Sequence, residues 1–172
     1  IMAERFGSPD VGNPRVYDTV GKPRMVKWYQ DFAALIDAME LCRFGTYWSR
    51  FPVEHKEFSD MLRFATGEIF SPEELATIGE RIWNVERAFN LRRGFGRESD
   101  TPCERLQNET LKGGPLDGER IHIDKFNEML DSYYVIRGWD RKTGRPKRSK
   151  LKALDLDDVA DELARHGQVV EE

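Results

Sequence analysis

Only two cysteines, Cys42 and Cys103, and three histidines, His55, His122 and His166, occur in the 172 residues. Two thiols cannot make a disulfide framework, and histidines so widely spaced build no local metal motif. No run approaches the roughly 18 consecutive apolar residues of a membrane-spanning helix. The first residues lack the charged, apolar and small-residue order of a signal peptide, which makes the cytoplasm the expected location. Neither a glycine-rich phosphate loop nor a nucleophile elbow is present, so phosphoryl and acyl transfer have no visible foothold. No stretch of four or more residues alternates in the manner of a half-buried strand. Excess positive charge is missing too: 27 Lys and Arg against 31 Asp and Glu leave a net −4 and a pI near 5.5. Nucleic-acid binding through bulk charge is thereby disfavoured.

What is present describes a chain that folds. Hydrophobic residues make up 39% and charged residues 34%, well away from the low-hydrophobicity corner where disorder is expected. Residues 1–24 carry Pro9, Pro14, Pro23, Gly7, Gly12 and Gly21 with no periodic apolar face. They read as a linker from an upstream domain, with a helical domain over residues 25–172.

The dominant period is helical, and the expected fold is all-α with about five helices. The first, about Met25 to Leu41, has Met25, Tyr29, Phe32, Ile36 and Met39 at spacings of three and four, widened by Trp28 and Leu35. Phe44, Gly45, Tyr47, Trp48 and Phe51 follow without helical order and suggest a packed loop. A second helix, about Val53 to Thr66, should end at Gly67. The third opens with Ser71, Pro72 and Glu74, a capping box, and its apolar residues Leu75, Ile78, Ile82, Val85 and Phe89 predict a core spine that stops at Gly94. A polar loop with one turn near Cys103 should drape over other structure. The fourth helix is expected after Asp124, with Phe126, Met129, Leu130, Tyr133 and Tyr134 inward and Gly138 at its end. The last is expected from Asp155, as N-cap, to Gly167.

Candidate chemistry is sparse. Arg141 to Lys152 holds seven cations and could grip phosphate, but it contains no aromatic for base stacking, so a solvated turn between helices is the simpler account. The histidines read as surface residues. Cys42 follows the first amphipathic run directly, and Asp37 lies five residues before it. On these residues alone a small buried sulfur is the plainer account of Cys42. A lone thiol cannot hold zinc or an iron–sulfur cluster, because such sites take four ligands.

Three segments then point one way. KWYQDFAALIDAMELCRF, GERIWNVERAFNLRRGFGRESD and YYVIRGWDRKTGRP, in unbroken order over about Val26 to Pro146, resemble the carboxy-terminal part of the aldehyde ferredoxin oxidoreductase family. These are tungsten, or sometimes molybdenum, bis-pterin enzymes several times longer than this chain. The family pattern near the thiol is Asp, three residues usually ending in Gly, then Leu and Cys. Asp37, Leu41 and Cys42 match it, and Glu40 replaces the customary Gly.

The resemblance implies that Cys42 is the fourth thiolate on a 4Fe-4S cluster whose other three ligands lie upstream. It further implies that Asp37 holds the amino group of one pterin and that Leu41 and Cys42 touch the same ring. The implied reaction is oxidation of an aldehyde to a carboxylic acid, with electrons leaving through the cluster to ferredoxin. Arg87, Asn90 and Arg92 fall in a packing segment, Cys103 is a bystander, and Gly138 with Trp139 fixes the exit from the fourth helix. Implied partners are the upstream domains and ferredoxin, with a homodimer left open and neither nucleic acid nor a membrane span expected. The isolated chain is expected to carry no cofactor and no activity. A related catalytic subunit resembling class II benzoyl-CoA reductase, or a non-catalytic helical interaction module, are the alternatives.

Overall fold

The computed structural model describes residues 2–46 and 53–171. Among them the fold is all-α. In chain order come α1 (Met2–Phe6), α2 (Gly21–Ala38), α3 (His55–Thr66), α4 (Pro72–Arg92), α5 (Glu104–Asn108), α6 (Ile123–Arg137), α7 (Arg148–Lys152) and α8 (Asp157–Arg165). Five of the eight reach seven residues or more, as the periodicity predicts. Tyr47, Trp48 and Phe51 of the expected aromatic loop lie outside the described residues, and Phe44 is 74% exposed.

The capping box forms as read. Ser71 Oγ accepts from the Glu74 N–H at 3.1 Å and the Glu74 carboxylate accepts from the Ser71 N–H at 2.7 Å, which satisfies two donors that a helix start leaves open. The spine of α4 is real over only half its length. Leu75 is buried, whereas Val85 and Phe89 are 42% and 56% exposed. At 21 residues α4 far outruns the 12-residue α3 packed against it. Beyond α3 the buried face turns to Asn84, Arg87, Ala88 and Leu91. The two polar residues are buried through hydrogen-bond partners: Asn84 Oδ1 accepts from the Trp139 indole at 2.9 Å, and Arg87 donates to the Gly144 carbonyl at 3.0 Å.

The central contact is α2 against α4, with α6 on α2. Gly79 makes it close: a Cβ there would overlap the Asp31 carbonyl oxygen. Helix α2 begins at Gly21, ahead of the expected Met25, because Asp18 Oδ1 accepts from the Val20 and Gly21 N–H groups at 2.8 and 3.0 Å. Residues of the segment expected as a linker pack onto the helices. Phe6 and Val11 are each 3% exposed, and the Arg5 guanidinium forks onto the Glu54 carboxylate at 3.0 and 2.9 Å. The long polar loop reaches back to the same segment, with the Tyr17 hydroxyl donating to the Arg120 carbonyl.

Two apolar clusters lie at opposite ends of α4. One joins Phe32, Leu35, Ile36, Phe58 and Leu75; the other joins Ala88 and Leu91 to Leu151, Leu154, Leu156, Ala160 and Leu163. Mid-helix residues of α4 meet a charged layer instead. Arg137, wholly buried, donates to Asp31 at 2.5 Å, to Gln30 at 2.7 Å and to the Tyr133 hydroxyl at 3.0 Å. The Glu80 carboxylate forms ion pairs with the Lys27 and Lys150 ammonium groups at 3.1 and 2.6 Å. Burial pushes the Glu80 carboxyl up, but the two ammonium groups outweigh it and hold it below the usual carboxylate range.

Three further readings are corrected. Asp155 does not cap the last helix: it sits at φ 55°, with its N–H on the Lys152 carbonyl and that of Leu156 on Leu151, so it ends α7, and Leu156 flanks α8. Asp124 is inside the first turn of α6, after His122. The basic run is not a solvated turn, since it contains α7 and buried Leu151, and some of its cations pair within the domain, Arg148 with Asp161 and Glu171, Arg141 with Asp131. Gly67 and Gly138 end α3 and α6 at φ 82° and 71°, as expected.

Candidate functional site

Helix α2 ends in a turn that brings Asp37, Leu41 and Cys42 into one short bracket. The Leu41 N–H closes on the Ile36 carbonyl at 3.1 Å and the Glu40 N–H on Asp37 at 3.1 Å, the paired bonds of a Schellman motif. Such a turn needs a left-handed residue at its apex, and Glu40 is there at φ 56°. Glycine supplies that conformation without a Cβ penalty, so a glutamate there strains the turn. Leu41 is half-buried against the Phe32–Leu75 cluster and anchors the turn. Its N–H is engaged in the cap, so a backbone contact from Leu41 to a ligand falls to its carbonyl.

The side chains on either side face outward. Cys42 is exposed, against the reading of a small buried sulfur: the extended backbone at Cys42, φ −76° and ψ 124°, carries it off the helix before the 3₁₀ turn Arg43–Gly45. Asp37 is exposed too, and its carboxylate pairs with the Arg43 guanidinium at 2.6 Å. Among the described residues no group of three or more His, Cys, Asp or Glu converges on a metal position.

The histidines are dispersed. His55 is not a plain surface residue: its ring lies 4.9 Å from Phe32 and 6.2 Å from Trp28, and burial pushes it below the ordinary imidazole range. His122 edges onto Tyr17 and His166 pairs with Glu162. Cys103 is exposed at the start of α5.

Residues 1–156 match the family model described as aldehyde ferredoxin oxidoreductase, domains 2 and 3. The chain belongs to the aldehyde ferredoxin oxidoreductase family. A protein of Pyrococcus abyssi named tungsten-containing aldehyde ferredoxin oxidoreductase is 44% identical over 138 residues, 80% of this chain and 21% of that protein. A protein of the same name from Thermococcus kodakarensis is 41% identical over 136 residues. The chain thus spans about a fifth of the length of these relatives. Among solved structures, the active-site complex BamBC of benzoyl-coenzyme A reductase with 1,5-dienoyl-CoA is similar, with TM-score 0.68 and 26% identity over 90% of this chain and 22% of that one.

Within this aldehyde ferredoxin oxidoreductase domain, two features stand out. Arg87, of the expected packing segment, is 8% exposed and pairs with Asp100 at 2.8 Å, stacking 4.9 Å from the Trp139 ring. Asn90 and Arg92 are exposed. The Tyr134 hydroxyl also donates to Asp100, and burial with that carboxylate pushes the phenol well above its ordinary range. The second feature is an open cavity of about 720 Å³ between α2, α4 and α6, with Met25, Trp83, Phe126, Met129 and Leu130 in its wall. Phe126, Met129 and Leu130 are consequently half-buried, not closed into a core. Helix rise puts Met25 about 20 Å from Met39 along α2, so this cavity and the Cys42 turn occupy opposite ends of the helix.

Proposed function

We propose that this domain supplies one cysteine ligand of a 4Fe-4S cluster and one carboxylate contact to a tungsten bis-pterin, in a larger enzyme that oxidises aldehydes to carboxylic acids. The observation that carries the reading is the turn after α2, which presents an exposed thiol and an exposed carboxylate on either side of an anchored leucine. The donor set fits the two groups. A thiolate is the ordinary ligand of iron in such clusters, and a carboxylate oxygen accepts from an N–H donor such as the amino group of an aminopyrimidine.

When bound, the pterin-held metal supplies two-electron chemistry and the cluster exports electrons singly. The protein's own part is positional. Leu41, packed on the α2–α3–α4 cluster, fixes where Cys42 leaves the helix; Asp37, about one turn back, holds the pterin edge. Three further thiolates come from outside this domain, as do ferredoxin as electron acceptor and any second protomer. The aldehyde is preferred over a coenzyme A thioester because the relatives named for aldehyde oxidation share 44% and 41% identity, against 26% for the reductase.

The experiment is Cys42→Ala in the complete enzyme, read as iron and acid-labile sulfide per polypeptide together with helical circular dichroism. The expected result is loss of most of the iron with helix content unchanged. Full iron content in that variant refutes the ligand role.

A further inference from the structure

We propose that Arg43 is the positioning residue that fixes the Asp37 carboxylate for its ligand, an inference that rests on the Asp37 contact proposed above. A carboxylate in the last turn of a helix faces the negative end of the dipole, where anions are disfavoured. Helix α2 carries no basic residue of its own in that turn. Arg43 provides the cation from beyond it: Nη2 lies 2.6 Å from Oδ2 and Nε 3.4 Å from Oδ1 of Asp37. The guanidinium so spans both oxygens from one side. Each carboxylate oxygen accepts more than one hydrogen bond, so with the two-oxygen edge taken by Arg43 the outer lone pair of one oxygen is held toward a single N–H donor of the ligand, such as an amino group.

The bracket that places Arg43 is defined. The left-handed Glu40 reverses the chain, and the 3₁₀ turn is closed by the Gly45 N–H on the Cys42 carbonyl at 3.0 Å and by the Thr46 hydroxyl on the Arg43 carbonyl at 2.8 Å. Arg43 is covalently next to Cys42. A single turn therefore sets both the thiol and the orientation of the carboxylate. A lysine at 43 would keep the charge but not the fork.

The test uses the complete enzyme with Arg43→Gln, Arg43→Lys and Asp37→Asn. The readouts are pterin and tungsten per polypeptide and their rate of loss on dialysis below the unfolding temperature, alongside the melting temperature itself. Partners that orient a cofactor ligand typically matter by 10-fold or more in retention. The expected result is cofactor loss about tenfold faster in Arg43→Gln and in Asp37→Asn, with partial rescue in Arg43→Lys; Arg43→Met replaces Arg43→Gln if the latter does not fold. A merely structural arginine would lower the melting temperature and leave retention below it untouched. Retention like the parent in Arg43→Gln, with loss in Asp37→Asn, overturns the role of Arg43 alone. Retention like the parent in Asp37→Asn removes the Asp37 contact and this proposal with it.

Discussion

Replacing Arg137 with Met tests whether the charged layer beneath α2 and α6 holds the domain together. The side chain is wholly buried and its guanidinium meets Asp31, Gln30 and Tyr133. Methionine is of similar bulk, so little cavity opens, and the cost is that of stranding Asp31, itself 7% exposed. Removing one partner of a buried pair typically costs 3–5 kcal/mol. Lys27 remains on Asp31 at 2.8 Å, which places the loss near the lower end, about 3 kcal/mol. For a chain of this size that corresponds to a fall in Tm of roughly 6–12 °C. Thermal and urea unfolding of the isolated domain measure it. The double replacement Asp31→Met with Arg137→Met leaves no stranded carboxylate and should cost less than the single one. A single variant within about 1 kcal/mol of the parent, or a double variant worse than the single, refutes the reasoning.

Other outcomes follow from the same geometry. Gly79→Ala forces α4 away from the Asp31 carbonyl and should cost 1–3 kcal/mol or more in urea unfolding. Glu40→Gly relieves a left-handed residue and should raise stability by about 1 kcal/mol, read from the same transition. Phe89→Ser, at a 56% exposed position, should stay within about 0.5 kcal/mol in the isolated domain. Because burial holds His55 below its ordinary value, the unfolded chain binds the extra proton first. Stability should therefore fall as pH drops through about 6.5, and His55→Gln should flatten that part of the stability–pH curve.

Local signals carried far. Ser71 with Glu74, Gly67 and Gly138 mark helix ends because capping is a matter of a few neighbouring backbone groups, all contained in the sequence. The apolar stripe of α4 predicts a helix correctly but not its buried face, since Val85 and Phe89 extend beyond what α3 covers. Asp31, Asn84 and Arg137 read as surface residues by type, and only their partners from distant segments explain their burial. Residues 2–24 lack periodicity yet pack, because two apolar anchors, Phe6 and Val11, and one carboxylate, Asp18, suffice to fix a segment without a helical stripe. At the proposed site, Asp37, Leu41 and Cys42 are legible through the family pattern alone. The left-handed apex at Glu40 and the Arg43 fork appear only once the turn is folded. Spacing by itself pointed the Cys42 sulfur inward, where the fold turns it out.

Anomalous diffraction at the iron edge from crystals of the complete enzyme addresses the central claim most directly. The account predicts an iron position within bonding distance of the Cys42 sulfur, one of four thiolates around the cluster. An iron–sulfur cluster fully ligated by other residues, with the Cys42 sulfur remote from every iron peak, contradicts it.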